Sequence, residues 1–244
     1  MKIYKADLHV HTVLSPCADL EMGPRNIIQQ AVLKKIDILG ITDHNSTKQL
    51  PVMKQLADEN GIALFYGVEV NTAEEVHCLA FFESYVLCQE FQRFLEKNYR
   101  GIVNKPAKFG DQVVVDENEM IKEEISELLI ASILATINQV EKMVHELNGI
   151  FIPAHIDRHG NGILAQLGFI PEDLIVDAVE LSKNQRITPF LEQHPELKNY
   201  TFIQNSDAHY PENIGDACSS LKLEAPTMDE FKLALQMKNG RGVL

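Results

Sequence analysis

The 244-residue chain is 45% apolar and 23% charged, the balance of an ordinary globular protein with enough chain for a sizeable core, which argues against disorder. No apolar run approaches the roughly 18 residues of a membrane helix, and residues 1–7 lack the regions of a signal peptide, so a cytoplasmic protein with no membrane partner is expected. The 22 Lys and Arg against 35 Asp and Glu give a net charge of −13, which disfavours long polyanions: no long nucleic acid is expected, although carboxylates that hold metal count as negative until the metal arrives.

In chain order, short β-branched segments have the length of buried parallel strands at 3–8, 36–42, 62–68, 76–82, 150–153, 177–181 and 201–204. Helical stretches separate many of them. Residues 24–35 place Ile27, Ile28, Ala31 and Val32 at helical spacing behind Pro24. Residues 52–60 stop at Gly61, and 137–147 stop at Asn148-Gly149. This alternation predicts a closed or nearly closed parallel barrel, with a doubly wound open sheet as the other possibility. Cys17, Cys78, Cys88 and Cys218 show no CxxC spacing, and no disulfide framework is expected.

Residues 83–130 interrupt the rhythm and exceed a usual connection. Phe91, Phe94 and Leu95 have helical spacing, 108–111 reads as a turn, Val113 to Val115 follow it, and acidic residues crowd 116–127. This is read as an insertion near the barrel mouth, a lid, or else as an extra helix pair on the barrel's outside.

The strand ends carry the chemistry. Asp7-Leu8-His9-Val10-His11 closes the first strand, Thr42-Asp43-His44 the second and Gly67-Val68-Glu69 the third. Val76-His77 lies on the fourth, Pro153-Ala154-His155 ends the fifth, and Ser206-Asp207-Ala208-His209 ends the last. In a barrel all strand carboxyl ends meet at one mouth, so these groups can converge there; in an open sheet the first and last strands are harder to bring together, and the barrel is preferred. His9 and His11 share one strand face, with Asp7 placed to orient a ligand from behind. A buried Glu69 needs a charged partner, and no basic residue stands at a neighbouring strand end, so metal is the better reading. His44, His77 and His155 each fit a core or loop histidine when taken singly, and their combination argues for one shared site. His145 and His194 fit structural roles.

These ordered motifs, spanning positions 7 to 209, resemble the polymerase and histidinol phosphatase (PHP) superfamily of metal-dependent phosphoesterases. The resemblance implies a distorted seven-stranded β/α (TIM-like) barrel, one domain over 1–244 with the insertion at about 83–130, and two or three divalent ions (Zn, Mn or Fe). It would place one ion on His9, His11, Glu69 and Asp207, a second on Glu69, His77 and His155, and a third on His44 and His209. The sequence departs from the family after His11-Thr12, where Cys17 stands in place of a usual Asp or His, with Asp19 close behind. A Cys17 thiolate would favour zinc and Asp19 a harder ion, while the plain alternative makes Cys17 a small buried hydrophobe.

Such ions suit phosphoryl transfer to water without a dedicated serine or cysteine nucleophile. Asp43 and Arg158 are the candidate catalytic residues. The Arg158 guanidinium matches phosphate, its alternative being a salt bridge to Asp157 or Glu172. His159 is a weaker candidate for general acid, and Lys183 joins Arg158 as a candidate substrate contact, with a merely solvated lysine as its alternative. Three functions are compatible: hydrolysis of a small phosphate ester (a nucleotide, sugar phosphate or amino-alcohol phosphate), trimming of oligonucleotide ends, and a noncatalytic metal-binding module. An amidohydrolase barrel also begins with HxH but fits the Thr42-Asp43-His44 and Gly67-Val68-Glu69 steps poorly. The expected partner is a small phosphorylated substrate, with the oligomeric state open.

Overall fold

The computed structural model describes all 244 residues. The strands are β1 (Lys2–Val10), β2 (Ile38–Ile41), β3 (Ala63–Asn71), β4 (His77–Phe82), β5 (Val113–Val115), β6 (Ile121–Glu124), β7 (Ile150–Pro153), β8 (Val179–Leu181), β9 (Phe202–Gln204), β10 (Ser219–Leu223) and β11 (Gly242–Val243). The helices are α1 (Pro24–Leu33), α2 (Leu50–Glu59), α3 (Tyr85–Lys97), α4 (Pro106–Phe109), α5 (Ile137–Glu146), α6 (Ile163–Leu167), α7 (Ile187–Gln193) and α8 (Met228–Leu235). Helices α1 and α2 begin with Pro in the first turn, where its missing N–H costs nothing. Helix α5 opens on a capping box between Thr136 and Gln139.

Seven strands in the order β11-β10-β1-β2-β3-β4-β7 form one mixed sheet that curls into a half-barrel. The parallel ladder β8-β9 stands across its open side. It is tied to β7 by Asp177 N donating to Phe151 O and Ile156 N to Glu180 O, and to β1 by Ala208 N donating to His9 O and His11 N to Ala208 O. The distorted α/β barrel is thus present, but not all-parallel. Strands β3 and β4 are antiparallel because the turn between Asn71 and His77 is too short for a crossover, and β4 pairs antiparallel with β7 in turn. Five of the seven expected strands lie in the sheet; the other two form the separate ladder, and the alternating 219–223 segment supplies a strand the sequence reading did not assign.

An inner cluster of Ala6, Leu8, Ile38, Phe65, Leu79, Phe81, Ile150, Ile152 and Ile203 fills the half-barrel, and α8 plugs its floor through Phe231, tilted against Phe65 and edge-on to Phe81. Strand β2 passes so close to β1 that a Cβ on Gly40 would lie 2.7 Å from Leu8 Cα, which only glycine avoids. The β1-β2 register shifts between Asp7 and Val10. Ala6 and Leu8 belong to the inner cluster while Val10 belongs to the outer one, so the irregularity turns His9 and His11 inward above them.

The 83–130 segment starts at the floor and ends at the mouth. Helix α3 climbs the outside, with Phe91 against Phe82, and Gln92 Oε1 accepts from Thr47 N beside the β2 end. The β5-β6 hairpin and its flanks then edge the rim: Gln49 and Val115 exchange two hydrogen bonds, and Asn45 Nδ2 donates to Leu129 O and Ala131 O. Helix α5 returns the chain to the floor. Its His145 bridges Glu141 and Asp177, and His194 lies by Glu196. No helix is long and apolar enough to cross a membrane.

Candidate metal centre

Strands β1, β2, β3 and β7 share one direction, so their carboxyl ends deliver His9, His11, His44, Glu69 and His155 to the same mouth. His77 arrives from the opposite sense, at the start of β4, because the tight β3-β4 turn lies at that mouth and pairs Asn71 with His77. The loop after β9 brings Asp207 and His209.

Glu69 is the hub. Its Oε1 lies 3.3 Å from His9 Nε2, 2.9 Å from His77 Nδ1 and 3.1 Å from His155 Nε2. Its Oε2 lies 3.3 Å from His11 Nε2 and 3.2 Å from His44 Nδ1. Asp207 Oδ1 stands 3.4 Å from both His9 Nε2 and His11 Nε2. Five imidazoles cannot all protonate around one buried carboxylate, and His9 Nε2, His11 Nε2 and His44 Nδ1 are buried without a hydrogen-bond partner. Donors held about 2.0–2.2 Å from one ion lie roughly 3.0–3.5 Å apart, which is the spacing found here. Three groups have ligand atoms within 4.8 Å of one another: His9, His11 and Glu69; His44, Glu69 and His77; and His11, His44 and His209. The residues fit divalent metal.

The electrostatics make His44, His77, His209 and Glu69 ligand-ready, while the carboxylates around His9 and His11 favour their protonated forms. Burial holds the His44 and His77 imidazoles below their ordinary value, and burial beside His11 brings His209 down to about 4. Burial works against a charged Glu69, but His77, His9 and His44 outweigh it and keep the carboxyl well below its usual range. Burial also opposes a charged His11, yet Asp207 and Glu69 raise it to about 9, so metal taken up there must displace a proton.

The residues behind the cluster differ from the sequence reading. Asp7 does not stand behind His9 and His11: the β1 irregularity turns it away, and its carboxylate accepts from Ser206 N and Gly215 N. It pins the Asp207–His209 loop to β1 instead. The group that orients His9 is Glu180, whose Oε2 accepts from His9 Nδ1 at 2.9 Å and His155 N at 3.0 Å while its Oε1 accepts from Asn205 Nδ2 at 2.8 Å. Asp43, expected to be catalytic, is buried and fully engaged: Oδ1 accepts from Thr12 N and Ser15 Oγ, and Oδ2 from Thr12 Oγ1, all at 2.7 Å. Ser15 in turn lies 3.0 Å from His11 Nδ1, so the contacts of Asp43 are with the residues that flank His11.

At the rim, Cys17 Sγ is 3.2 Å from His209 Nε2, whereas the Asp19 carboxylate turns away to accept from Glu21 N. Arg158 is half exposed and pairs with Asp207 through Nη1, not with Asp157 or Glu172. Lys183 pairs with Asp216 on the wall of a cleft that also includes Arg158. His159 is exposed beyond them. His155 and Asp207 both take positive φ, +29° and +50°, strain that sits among the candidate ligands.

Glu180 yields a direct expectation. Glu180→Gln keeps the shape but removes the charge behind His9, so metal affinity, measured by competition with a chelator, should fall about 10–100-fold. Unchanged affinity would leave Glu180 a purely structural residue.

Residues 7–162 match the PHP domain family, and this chain belongs to that family. The uncharacterized protein YqxK of Bacillus subtilis is 25% identical over 274 aligned residues, covering the whole of this chain and 64% of its own length. The 5'-3' exoribonuclease Rnm of Salmonella typhimurium is 36% identical over 73 residues, 29% of this chain and 24% of that protein. Among solved structures, the lesion-specific endonuclease EndoQ of Pyrococcus furiosus aligns with TM-score 0.76 at 17% identity, over 99% of this chain and 58% of that one. Endonuclease Q in complex with a 27-mer duplex bearing an abasic lesion at the active site aligns with TM-score 0.74 at 18% identity, over the same shares. This chain therefore spans less than two thirds of the length of each of these proteins.

The expectation of a small phosphate ester and no long nucleic acid does not hold. Endonuclease Q, which shares the fold over nearly the whole of this chain, is solved in complex with a DNA duplex. A net charge sums the whole surface and does not say where the acids lie; Asp116, Glu117, Glu119, Glu123 and Glu124 fall together on the β5-β6 hairpin at the rim.

Proposed function

We propose that this chain is a metal-dependent nuclease domain that hydrolyses phosphodiester bonds in a polynucleotide. His9, His11, Glu69 and Asp207 would hold one ion, Glu69 with His77 and His155 a second, and His44 with His209 and Cys17 a third. Bound divalent ions supply an acidified water as nucleophile and offset charge on the phosphoryl oxygens. The chain's own residues do the rest. Glu180 and Ser15 fix the ring planes of His9 and His11, and Asp43 holds Ser15 and Thr12 in place. Arg158, with one of its donors on Asp207, offers its other N–H groups to a nonbridging phosphate oxygen.

The observation that carries this reading is the buried Glu69 carboxylate ringed by five imidazoles, three with unpartnered nitrogens aimed at it. The polynucleotide is supported by the Endonuclease Q fold over 99% of this chain. A second reading, cleavage of RNA, draws on the identity to the exoribonuclease over 73 residues. The test is to load the protein with Zn, Mn or Fe, count the metal, and assay duplex DNA with and without an abasic site, single-stranded DNA and RNA. More than one equivalent of metal and chelator-sensitive cleavage of a polynucleotide are expected. No cleavage of any polynucleotide under any metal would sink the proposal.

A further inference from the structure

Three clefts meet over the cluster. The central one, about 300 Å³, is lined by His44, Glu69, His77, His155, Asp207 and His209 among others. A second, about 400 Å³, leads away over the ends of β8 and β9 past Lys183, Asn184, Tyr210 and Asn213. A third, about 500 Å³, leads the other way past Asp157, His159, Gly160 and Asn161. His155 and Arg158 line all three, so the clefts are one trough with the metal cluster at its middle. Both ends are open: Asn184 and Tyr210 are exposed at one, His159 and Gly160 at the other.

We infer that a polynucleotide strand crosses the cluster and leaves on both sides, so that the domain cuts internal phosphodiester bonds rather than working from a strand end. The inference rests on the nuclease reading above. An enzyme that recognises a terminal phosphate needs a wall beyond the phosphate, and neither arm ends in one. The lining also suits a solvated backbone more than a compact apolar ligand: three of fourteen residues are hydrophobic in the β8-β9 arm and none of seven in the other. Tyr210 is 48% exposed on the rim, and its hydroxyl has no protein partner, so its ring is free to receive a base by stacking, which tolerates any sequence. Arg158 stands at the crossing point with most of its donors unused. The carboxylates that line the arms are already bonded, Glu180 to His9 and Asn205, Asp207 to Arg158, and Asp157 to Ser182. In the reaction, the water oxygen bonds to phosphorus as one P–O bond to a sugar breaks. One product keeps the phosphate, and the water's proton ends on the leaving sugar oxygen.

The test uses the metal-loaded protein with closed circular and linear single-stranded oligonucleotides of one sequence, made as DNA and as RNA. Circles should be opened to linear strands, at rates comparable with internal cleavage of the linear form. Tyr210→Ala, with metal content checked, should slow circle opening roughly tenfold to a hundredfold through lost stacking. Linear strands shortened from an end while circles stay intact would overturn the internal mode and leave the nuclease reading standing. Circle opening by Tyr210→Ala at the wild-type rate would remove the β8-β9 arm from the strand's path and overturn the crossing. If neither form is cut while duplex DNA is, the crossing of a single strand falls and the nuclease reading stands; if metal-loaded protein cuts no polynucleotide at all, both fall.

Discussion

Glu69→Gln is expected to empty more than one metal position at once. Each oxygen of Glu69 faces its own histidines, Oε1 toward His9, His77 and His155 and Oε2 toward His11 and His44. A carboxylate in that position can bridge two ions, and Asp207, the other carboxylate that faces these rings, reaches only His9, His11 and His209. The amide keeps the volume but withdraws the charge and turns an NH2 donor toward one set of imidazoles, so it neither ligates nor neutralises there. Elemental analysis of the reconstituted variant should show a loss of more than one equivalent relative to wild type. Phosphodiester hydrolysis should fall about 10²–10³-fold or more, the scale of removing one key electrostatic contact in a reacting site. The rise in Tm on adding metal should shrink as well, because binding to the folded state alone is what stabilises it. A variant that keeps its full metal complement would remove Glu69 from its bridging role.

The convergence of the histidines was legible because it depends on strand ends alone. Once the β-α alternation makes a barrel, residues that close strands 1, 2, 3 and 5 must share a mouth, whatever the detailed register. His77 was legible as a participant but not its manner of arrival. It reaches the mouth from the first residue of its strand, because the turn before it is too short to let β4 run parallel to β3. The direction of Asp7 was lost to the shift of register in β1, since alternation places it on the His9 face and the irregularity moves it off. Glu180 was within reach: a carboxylate between Val179 and Leu181 on a buried strand invites the same argument that singled out Glu69, and its partner is a histidine 171 positions away. The Arg158–Asp207 pair, 49 residues apart, joins the ends of two barrel elements and leaves no local trace. The proposed polynucleotide has no signature in composition, because a net charge of −13 carries no information on where the acids lie.

Asp207→Asn separates a nuclease from a passive metal-binding module. Asp207 Oδ1 is 3.4 Å from His9 Nε2 and from His11 Nε2, and its Oδ2 accepts from Arg158. It is thus the one carboxylate that touches both the first metal position and the candidate phosphate contact. Burial opposes its charge, but His9 and His11 hold its carboxyl far below the usual range, so at neutral pH the wild-type group is an anion ready to ligate. Its backbone lies at φ +50°, a conformation that asparagine tolerates as readily as aspartate, and the apolar strands around it are untouched, so the fold should survive. What changes is the charge: the first ion keeps its histidines and Glu69 but loses one anionic ligand, and Arg158 loses the partner that aims it. Hydrolysis should fall about a hundredfold or more at saturating metal. The melting temperature of the metal-free protein should stay close to that of wild type. Equal activity in variant and wild type would detach Asp207 from the reaction, and with it the assignment of the first metal position to catalysis.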